Sequence, residues 1–378
     1  MTAIIPNTIT KGRILVYRVY DIGEEVDLEK AEKILAIAST SRSKFRLKKI
    51  NRQAVIVSND PLSIILGTHT YSDQGREFTS EISAKLWDFG TLSITFEYLI
   101  PEGTTIDQLR VLSRSIQDYD DLDVYARARA TELSQQIHES IGKVNIIKDS
   151  QVNEDFILYF IEKFAVDYAD ASLILEDEDI AALILTEEKH TLSPQINMRL
   201  YETKLQYYKN DLAVIDWNSA FIIEPSGSLD IPDVIEFALN QLLEMRYYDD
   251  LLDKKLREIY SAIELKKMSI FSTRYTVLAL EAGQHYIEIA EIVETVENSL
   301  KVIGDLYHSV VFRMASKKFR FTDWQISIDN KLENLADISK LLLDNINHRR
   351  SHMLELTVIA LISLELIPLF EQIQKLFK

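Results

Sequence analysis

The sequence predicts an α+β protein in which a mixed α+β region is followed by a region of long helices. Short runs of β-branched and aromatic residues, separated by turn residues, recur as far as Glu224. After Gly227 the chain contains only two further glycines, Gly283 and Gly304, and the strand-like alternation stops. The apolar residues of this last part recur at helical spacing instead.

The first part of the chain is predicted to begin with a strand and a helix. The run Ile14 to Tyr20 is typical of a strand, and the acidic stretch from Asp27 to Ala38 has helical spacing. Turn residues such as Asn59-Asp60-Pro61 separate the strands that follow. These strands are predicted at Lys44 to Ile50, Ala54 to Val57, Ile64 to Tyr71, Phe78 to Asp88 and Leu92 to Ile100. Helical spacing resumes from Ile106 to about Ile141, so residues 1–145 are predicted to form one α+β domain.

A second, smaller α+β block is predicted over residues 146–229. Its helix lies near Asp179 to Thr186, and its strands are Phe156 to Phe164, Leu205 to Tyr208, Ala213 to Trp217 and Phe221 to Glu224. The stretches Phe96 to Leu122 and Phe221 to Leu251 both run from a strand through a Pro/Gly turn and an acidic helix start to Asp-Asp-Leu. The two blocks are therefore candidate related subdomains, and chance likeness between two acidic helices is the alternative.

Residues 230–378 are predicted to form the long helical region. Three helices fit it: Ile231 to about Met268, Thr273 to about Met314, and Asp323 to the end. The second helix has a heptad pattern typical of a coiled coil. The residues predicted to pack between helices are Ile289, Ile292, Val296, Ile303, Leu306 and Val310 of this helix and Leu335 and Leu342 of the third. The partner of the second helix is either the third helix, in an antiparallel hairpin, or another chain, since helices of this length depend on packing.

The composition restricts the partners and the chemistry. The formal net charge is −17, with 59 acidic and 42 basic side chains, and this argues against nucleic acid and against anionic lipid over most of the surface. Cysteine is absent, which excludes disulfides, thiolate catalysis and thiolate-held metals. Residues 1–11 show neither a secretory nor an organelle-import pattern. We therefore expect a cytoplasmic protein.

No metal-binding or cofactor-binding residues are predicted. His348 and His352 lie four residues apart on one helix face, with Glu355 within reach as a third ligand. The neighbouring Arg349 and Arg350 disfavour a bound cation. The glycines show no Walker or dinucleotide spacing.

No catalytic residues are predicted either. The acidic runs Glu176 to Asp179 and Asp118 to Asp123 are typical of solvated helix starts rather than of paired catalytic carboxylates. Several aromatic residues in or near the strands could stack on bases, but they lack interleaved basic residues and are interpreted as core. These residues are Trp87, Phe89, Phe96, Tyr207, Tyr208 and Trp217.

The chain ends in an apolar stretch from Leu354 to Phe370, preceded by the basic cluster His348 to His352. A basic flank before an apolar run is typical of a membrane surface. Glu355 and Glu365 leave an uninterrupted run well short of the roughly 20 residues of a spanning helix. Three interpretations stay open: a helix buried in a soluble oligomer, a shallow membrane anchor, and a span whose Glu365 is shielded in an oligomer. The residues predicted to make the contact are Arg349, Arg350, Leu356, Ile359, Leu361, Ile362 and Leu366.

Two parts of the sequence carry a likeness to a known family. The tail combines Asn330-Lys331-Leu332 with a basic turn that leads into Leu354-Glu355 and the apolar run. Trp87 to Ile94 forms an aromatic, acidic, aromatic, glycine turn between two predicted strands. Together with the opening strand and helix, these features resemble the "required for meiotic nuclear division" family, a group of domains of unknown function. The family's usual tryptophan after Leu-Glu is Leu356 here, and the middle of the chain, about Asp149 to Phe321, lacks the family's Ala-rich helix pattern.

The resemblance implies an α+β domain followed by a helical tail with a hydrophobic anchor. Mitochondrial relatives form large inner-membrane assemblies that support organelle translation, and the family has no accepted catalytic residues. We therefore expect a non-enzymatic scaffold protein that forms homo-oligomers through its long helices, with a C-terminal segment that is either buried in the oligomer or in contact with the inner face of the cytoplasmic membrane. A translation-linked RNA or ribosome binder and a carboxylate-dependent hydrolase are the alternatives. No small-molecule ligand or cofactor is predicted.

Overall fold

The chain divides into two compact units. The structure is a computed structural model. It describes residues 7–23, 25–40, 46–48, 60–73, 76–119, 121–142, 153–187, 191–202, 204–264, 277, 279–284, 286–287, 290 and 306–376. The first unit, called the sheet unit, comprises Met1–Tyr247 and Val296–Asp323. The second, called the helical unit, comprises Tyr248–Thr295 and Trp324–Lys378.

The described residues of the sheet unit form a ten-stranded sheet. The strands are β1 (Thr8–Asp21), β2 (Arg46–Lys48), β3 (Leu62–Asp73), β4 (Arg76–Leu86), β5 (Thr91–Leu99), β6 (Thr104–Thr105), β7 (Asn153–Phe164), β8 (Lys204–Leu205), β9 (Leu212–Ile215) and β10 (Ser219–Ile223). Their order is β2-β3-β4-β5-β1-β7-β10-β9-β8, with β6 paired to β1. The sheet is mixed, because β7 and β10 are parallel whereas β1 is antiparallel to both β5 and β7.

Strand β1 lies in the middle of this sheet. It pairs with β5 on one side and with β7 on the other, and its residues are buried from Ile14 to Asp21. Its β-branched and aromatic residues suit a strand that is covered on both faces. Because β5 belongs to the first predicted block and β7 to the second, the predicted boundary between residues 145 and 146 lies within one continuous sheet rather than between two domains.

Helices lie on both faces of the sheet. The α-helices whose bounds lie within the described residues are α1 (Leu28–Thr40), α2 (Ile106–Gln117), α3 (Asp121–Gln136), α4 (Ile174–Asp177), α5 (Ile180–Ile184), α6 (Pro194–Tyr201), α7 (Asp230–Glu264), α8 (Leu306–Lys318) and α9 (Phe321–Leu376). On one face, Ser113 of α2 hydrogen-bonds the hydroxyl of Tyr159 of β7. On the other face, Phe237 of α7 packs against Trp87 and against Phe312 of α8. The sheet is therefore the middle layer of three.

The stretches Phe96 to Leu122 and Phe221 to Leu251 were predicted to be related. The first runs from β5 through α2, and the second runs from β10 into α7. In each, the turn before the helix contains a glycine with positive φ, +86° at Gly103 and +72° at Gly227, which is a conformation that favours glycine. The local pattern is therefore shared, but α2 and α7 pack on opposite faces of the sheet.

The predicted fold class is confirmed. A mixed sheet with helices is followed by long helices, among them α7 and α9, and the described residues between 277 and 290 are helical as well. The predicted strand Ala54 to Val57 lies outside the described residues, as do Ile289, Ile292, Val296 and Ile303 of the predicted heptad.

Candidate functional site

The most unusual surface of the helical unit is an apolar segment of α9, residues 353–366, which we call the apolar segment. Its large apolar side chains are exposed, from 40% for Met353 to 67% for Leu354. The predicted contact residues Leu356, Ile359, Leu361, Ile362 and Leu366 are exposed by 63%, 59%, 61%, 51% and 51%. They point in all directions around the helix, which is typical of a helix that is buried in its functional state. Arg349 and Arg350 lie on the same helix, and their side chains lie outside the described residues.

Polar side chains within the apolar segment bond to their own helix. The Thr357 hydroxyl donates to the Met353 carbonyl at 2.7 Å, and the Ser363 hydroxyl donates to the Ile359 carbonyl at 2.8 Å. Such back-bonding satisfies a hydroxyl without a solvent partner. These two hydroxyls therefore need no new polar partner when an apolar surface covers the segment.

The helices of the described residues include none that is long and apolar enough to cross a membrane.

The predicted histidine pair forms no metal site with its neighbours. The His348 and His352 rings lie 6.5 Å apart, and His352 Nδ1 is 3.2 Å from Glu355 Oε2. Within the part of the chain that the structure describes, no three histidine or acidic side chains are arranged to hold a metal ion.

The predicted packing residues of the third helix lie in a buried row of α9. Leu335 and Leu342 are 0% and 4% exposed, in a row with Ile328, Leu332 and Ile338. The two described packing residues of the second predicted helix lie on α8, in the sheet unit. There Leu306 is 79% exposed and Val310 is half-buried.

A polar cluster accompanies the buried row of α9. Lys331 Nζ lies 2.7 Å from Asp249 Oδ1 and 2.9 Å from Asp253 Oδ2 on α7, and the Ser327 hydroxyl donates to Asp249 at 2.6 Å. Partly buried ion pairs contribute little net stability, and this one joins α9 to α7. Lys331 and Asp249 belong to the Asn-Lys-Leu and Asp-Asp-Leu stretches noted in the sequence.

Small residues allow a close contact elsewhere in the helical unit. The Ser339 hydroxyl of α9 donates to the Ala279 carbonyl at 3.0 Å, and a Cβ on Gly283 would lie 3.5 Å from the same hydroxyl oxygen. Ala279 and Gly283 are four residues apart and so share a helix face. The helical unit is therefore a packed structure up to this level of α9.

We expect Leu335→Ala to destabilise the protein by about 2–5 kcal/mol, because it leaves a cavity in a buried row. The matched control is Leu341→Ala, since Leu341 lies on the same helix and is 63% exposed. Urea unfolding followed by circular dichroism measures both variants. Equal midpoints for the two variants would contradict a packed row at Leu335.

A buried polar cluster between the sheet and α7 was not predicted from the sequence. Lys85 Nζ of β4 lies 2.8 Å from Asp233 Oδ1 and 2.5 Å from Glu236 Oε2, both on α7. The Ser93 hydroxyl of β5 donates to the other carboxylate oxygen of Glu236. Asn240, one turn further along α7, accepts a hydrogen bond of 2.6 Å from Thr91. We call Lys85, Ser93, Asp233 and Glu236 the lysine cluster.

The electrostatics of the lysine cluster keep the ammonium charged. Burial alone would lower the pKa of Lys85, but the charges of Glu236 and Asp233 outweigh it and the pKa is raised. Burial raises the pKa of Glu236, and repulsion by Asp233 acts in the same direction. Burial therefore favours the protonated form of Glu236. The ion pairs and the hydrogen bond of the cluster hold α7 on the sheet. Because Ser93 and Glu236 are 0% and 2% exposed, the cluster is closed to a substrate.

A second ionic network lies on the same face of the sheet. Arg13 of β1 donates to Glu97 and to Glu162, both at 2.6 Å, and Lys11 also pairs with Glu162. A Cβ on Gly227 would approach Glu162 Oε2 to 2.9 Å. The turn before α7 thus lies directly against this network, which supports the start of the helix.

The acidic runs considered for catalysis have structural partners. Asp123 accepts a hydrogen bond from Arg18 at 2.6 Å, and Asp179 accepts one from the backbone of Ala182 at the start of α5. These contacts agree with helix starts that complement the helix dipole.

The interpretation of the aromatic residues as core is only partly correct. Trp87 and Phe96 are buried, at 2% and 0% exposed. Tyr207, Tyr208 and Trp217 are 59%, 67% and 64% exposed, so the interpretation is wrong for these three. They lie in the turns on either side of β9, where side chains do not follow the alternation of a strand.

The fold and this surface define an α+β protein that joins a mixed sheet to long helices and ends in an exposed apolar segment. Residues 11–230 match the family described as "Uncharacterized protein MJ0711, N-terminal domain". Because the match covers more than half of the chain, the protein belongs to this family. It is similar to "Uncharacterized protein MJ0711" of Methanocaldococcus jannaschii, with 23% identity over 264 residues, 62% of this chain and 81% of the relative. The family match begins within β1 and ends at the first residue of α7, and so covers nearly all of the sheet.

Proposed function

We propose that this protein is a non-enzymatic assembly protein that associates with copies of itself through its long helices, with the apolar segment of α9 as the principal contact. The exposure of apolar side chains all around that segment carries the proposal. Among the described residues, the alternatives of an RNA or ribosome binder and of a hydrolase have no comparable surface in their favour.

The energetic argument rests on the size of the apolar segment. Fully burying a Leu, Ile or Val side chain contributes roughly 1.5–3 kcal/mol of stabilisation. Burial of the exposed half of each side chain in an interface would therefore contribute about 1–2 kcal/mol to association. Contiguous apolar surfaces of this kind mark sites of association. Copies of the chain offer the same surface to one another, as a symmetric interface requires.

Contact with a membrane is the second candidate for the same segment. The basic cluster His348 to His352 precedes it, which is the polarity expected near anionic headgroups. The resemblance of the tail to the "required for meiotic nuclear division" family supports this candidate, since its mitochondrial members form inner-membrane assemblies. Shallow insertion would cover the apolar side chains without requiring a span.

The test replaces three exposed residues of the apolar segment together, Leu356→Gln, Ile359→Gln and Ile362→Gln. Glutamine preserves helix propensity, so the helix itself should remain. We expect wild-type protein to be oligomeric by light scattering after size-exclusion chromatography, and the triple variant to have a lower mass. Deletion of Met353–Lys378 should have the same effect.

The matched control replaces three exposed apolar residues of the sheet unit, Ile37→Gln, Val124→Gln and Val166→Gln. This variant should keep the mass of the wild type. Flotation with anionic vesicles then separates the two candidates, since a membrane contact is lost in the first variant only. Unchanged mass in the first variant would refute self-association through the apolar segment, and unchanged flotation in that variant would refute the membrane contact.

A further inference from the structure

The sheet unit contains an open groove beside the end of β5. Its volume is about 770 Å³, and it lies between the start of β4, the end of β5 and helix α2. This volume is within the range of roughly 300–1,000 Å³ that small-molecule sites occupy. The groove lies entirely within residues that the structure describes, and it is independent of the apolar segment of α9.

The walls of the groove are apolar side chains that remain in water. Leu99 of β5 is 74% exposed and Val111 of α2 is 53% exposed, and both line the groove. The rings of Phe78 and Tyr98 also line it, and Tyr98 is only 3% exposed and belongs to the core. An apolar body placed here would contact Leu99 and Val111 together and would lie beside two aromatic rings.

The charged side chains that line the groove are acidic. They are Glu77 and Asp107, and Asp107 is 79% exposed although it accepts a hydrogen bond of 2.9 Å from Arg110. The charge of Asp107 also affects Glu178. Burial is the largest cause of the raised pKa of Glu178, and repulsion by Asp107 and Asp177 raises this pKa further. Arg110 offsets part of the charge of Asp107, so Glu77 supplies most of the negative charge on the rim, on a protein of net charge −17.

The groove is formed before any ligand enters. The turn that leads into α2 is held by the Gly103 backbone, which donates to Ile9 at 2.8 Å, and by Thr104, whose hydroxyl donates to Pro101 at 2.6 Å. Thr105 and Gln108 form a reciprocal capping box at the start of α2. Fixed walls lower the entropic cost of binding.

We infer that this groove is a binding site for a small organic cation with an apolar body, such as an alkyl or aryl amine. The apolar walls bind the body, and the carboxylates of the rim together with the Phe78 and Tyr98 rings attract the ammonium group. An anion of the same shape meets the same walls and an unfavourable potential. The groove thus selects by the charge of the head group.

The test compares three probes that share one alkyl chain and differ in the head group: octylammonium, octanol and octanoate. Titration calorimetry on the full-length protein, below the concentration at which the probes aggregate, gives each affinity. We expect octylammonium to bind about tenfold more tightly than octanol, the equivalent of one favourable ion contact. Octanoate should bind more weakly than octanol. Equal affinity for the three probes, or no binding of octylammonium, would overturn the inference.

Two variants assign the binding to the groove. Leu99→Ser with Val111→Ser should weaken all three probes about tenfold or more through loss of apolar contact. Glu77→Gln with Asp107→Asn should remove the preference for octylammonium and leave octanol unchanged. These residues are exposed, so the fold should tolerate both changes.

Controls identify binding elsewhere on the chain. Val124→Ser alters an exposed apolar residue of α3 outside the groove and should change nothing. The triple glutamine variant of the apolar segment should also retain the preference for octylammonium. If the preference is lost in that variant and kept in both groove variants, the amines bind α9 and the inference fails.

Discussion

Lys85→Met is expected to destabilise the protein by about 3–5 kcal/mol, since it leaves buried carboxylates without their cation. The Lys85 side chain is 16% exposed and is bound by Asp233 and Glu236, with Glu236 at 2%. An ionised carboxylate that is buried without a partner is costly. Circular dichroism in urea measures the loss, and tryptophan fluorescence, to which Trp87 contributes from its contact with Phe237 of α7 at 5.4 Å, follows the same unfolding.

The control and the rescue make this result specific. Lys254→Met removes the cation of an exposed pair, with Lys254 60% and Asp250 43% exposed, and should cost less than about 1 kcal/mol. Adding Glu236→Gln to Lys85→Met should restore part of the loss, because the most buried charge disappears with its partner. If Lys85→Met unfolds at the same urea concentration as Lys254→Met, the lysine cluster does not hold α7 on the sheet.

The strands were predictable from local pattern, whereas their arrangement was not. The run Ile14 to Tyr20 lies inside β1, and the stretch Leu92 to Ile100 overlaps β5 almost entirely. Both are recognised by β-branched and aromatic residues alone. That β1 pairs with β7, more than a hundred positions further along the chain, depends on contacts that no local pattern encodes. For this reason the sequence suggested two α+β domains where the structure has one sheet.

The lysine cluster was missed for a related reason. Ser93, Thr95 and Glu97 alternate with apolar residues along β5, and such alternation is typical of a strand with one face in water. The structure instead covers part of that face with α7. A signal was present in α7 itself, because Glu236 and Asn240 lie four residues apart in an otherwise apolar stretch. Polar residues at that spacing indicate a polar surface opposite them.

Helix α6 shows a signal that was present and overlooked. Ser193 caps this helix by accepting from the backbone of Ile196, and Pro194 occupies its first turn. The Ser-Pro pair is a recognised helix start. The apolar stretch at the end of α9 was visible in the composition, and the structure exposes its described large side chains from Met353 to Leu366.

Two glutamates on one face of β7 should show opposite pH dependence. Burial raises the pKa of Glu154 from 4.5 to about 7 despite its contact of 2.5 Å with Arg246. For Glu162, burial acts in the same direction, but the hydrogen bonds from Lys11 and Arg13 outweigh it and the pKa is lowered. The folded state therefore favours the protonated form of Glu154 and the ionised form of Glu162.

The sign of each effect follows from linkage. Between pH 4.5 and about 7, Glu154 is protonated in the folded protein but ionised in the unfolded chain. The stabilisation from this group is therefore fully present below pH 4.5 and is lost as the pH rises to about 7. The loss is on the order of 3 kcal/mol. Glu162 behaves in the opposite way, since its contribution is present above the unfolded pKa and is lost as the pH falls through the lowered one.

Urea unfolding of Glu154→Gln and Glu162→Gln across this pH range measures both effects. Relative to wild type, Glu154→Gln should become more favourable as the pH rises, because glutamine cannot ionise in the buried position. Glu162→Gln should be most destabilising at neutral pH and least destabilising in acid. Parallel pH profiles for the two variants would show that Arg246 stabilises the ionised Glu154 as effectively as Lys11 and Arg13 stabilise Glu162, and the assigned pKa of Glu154 would then be wrong.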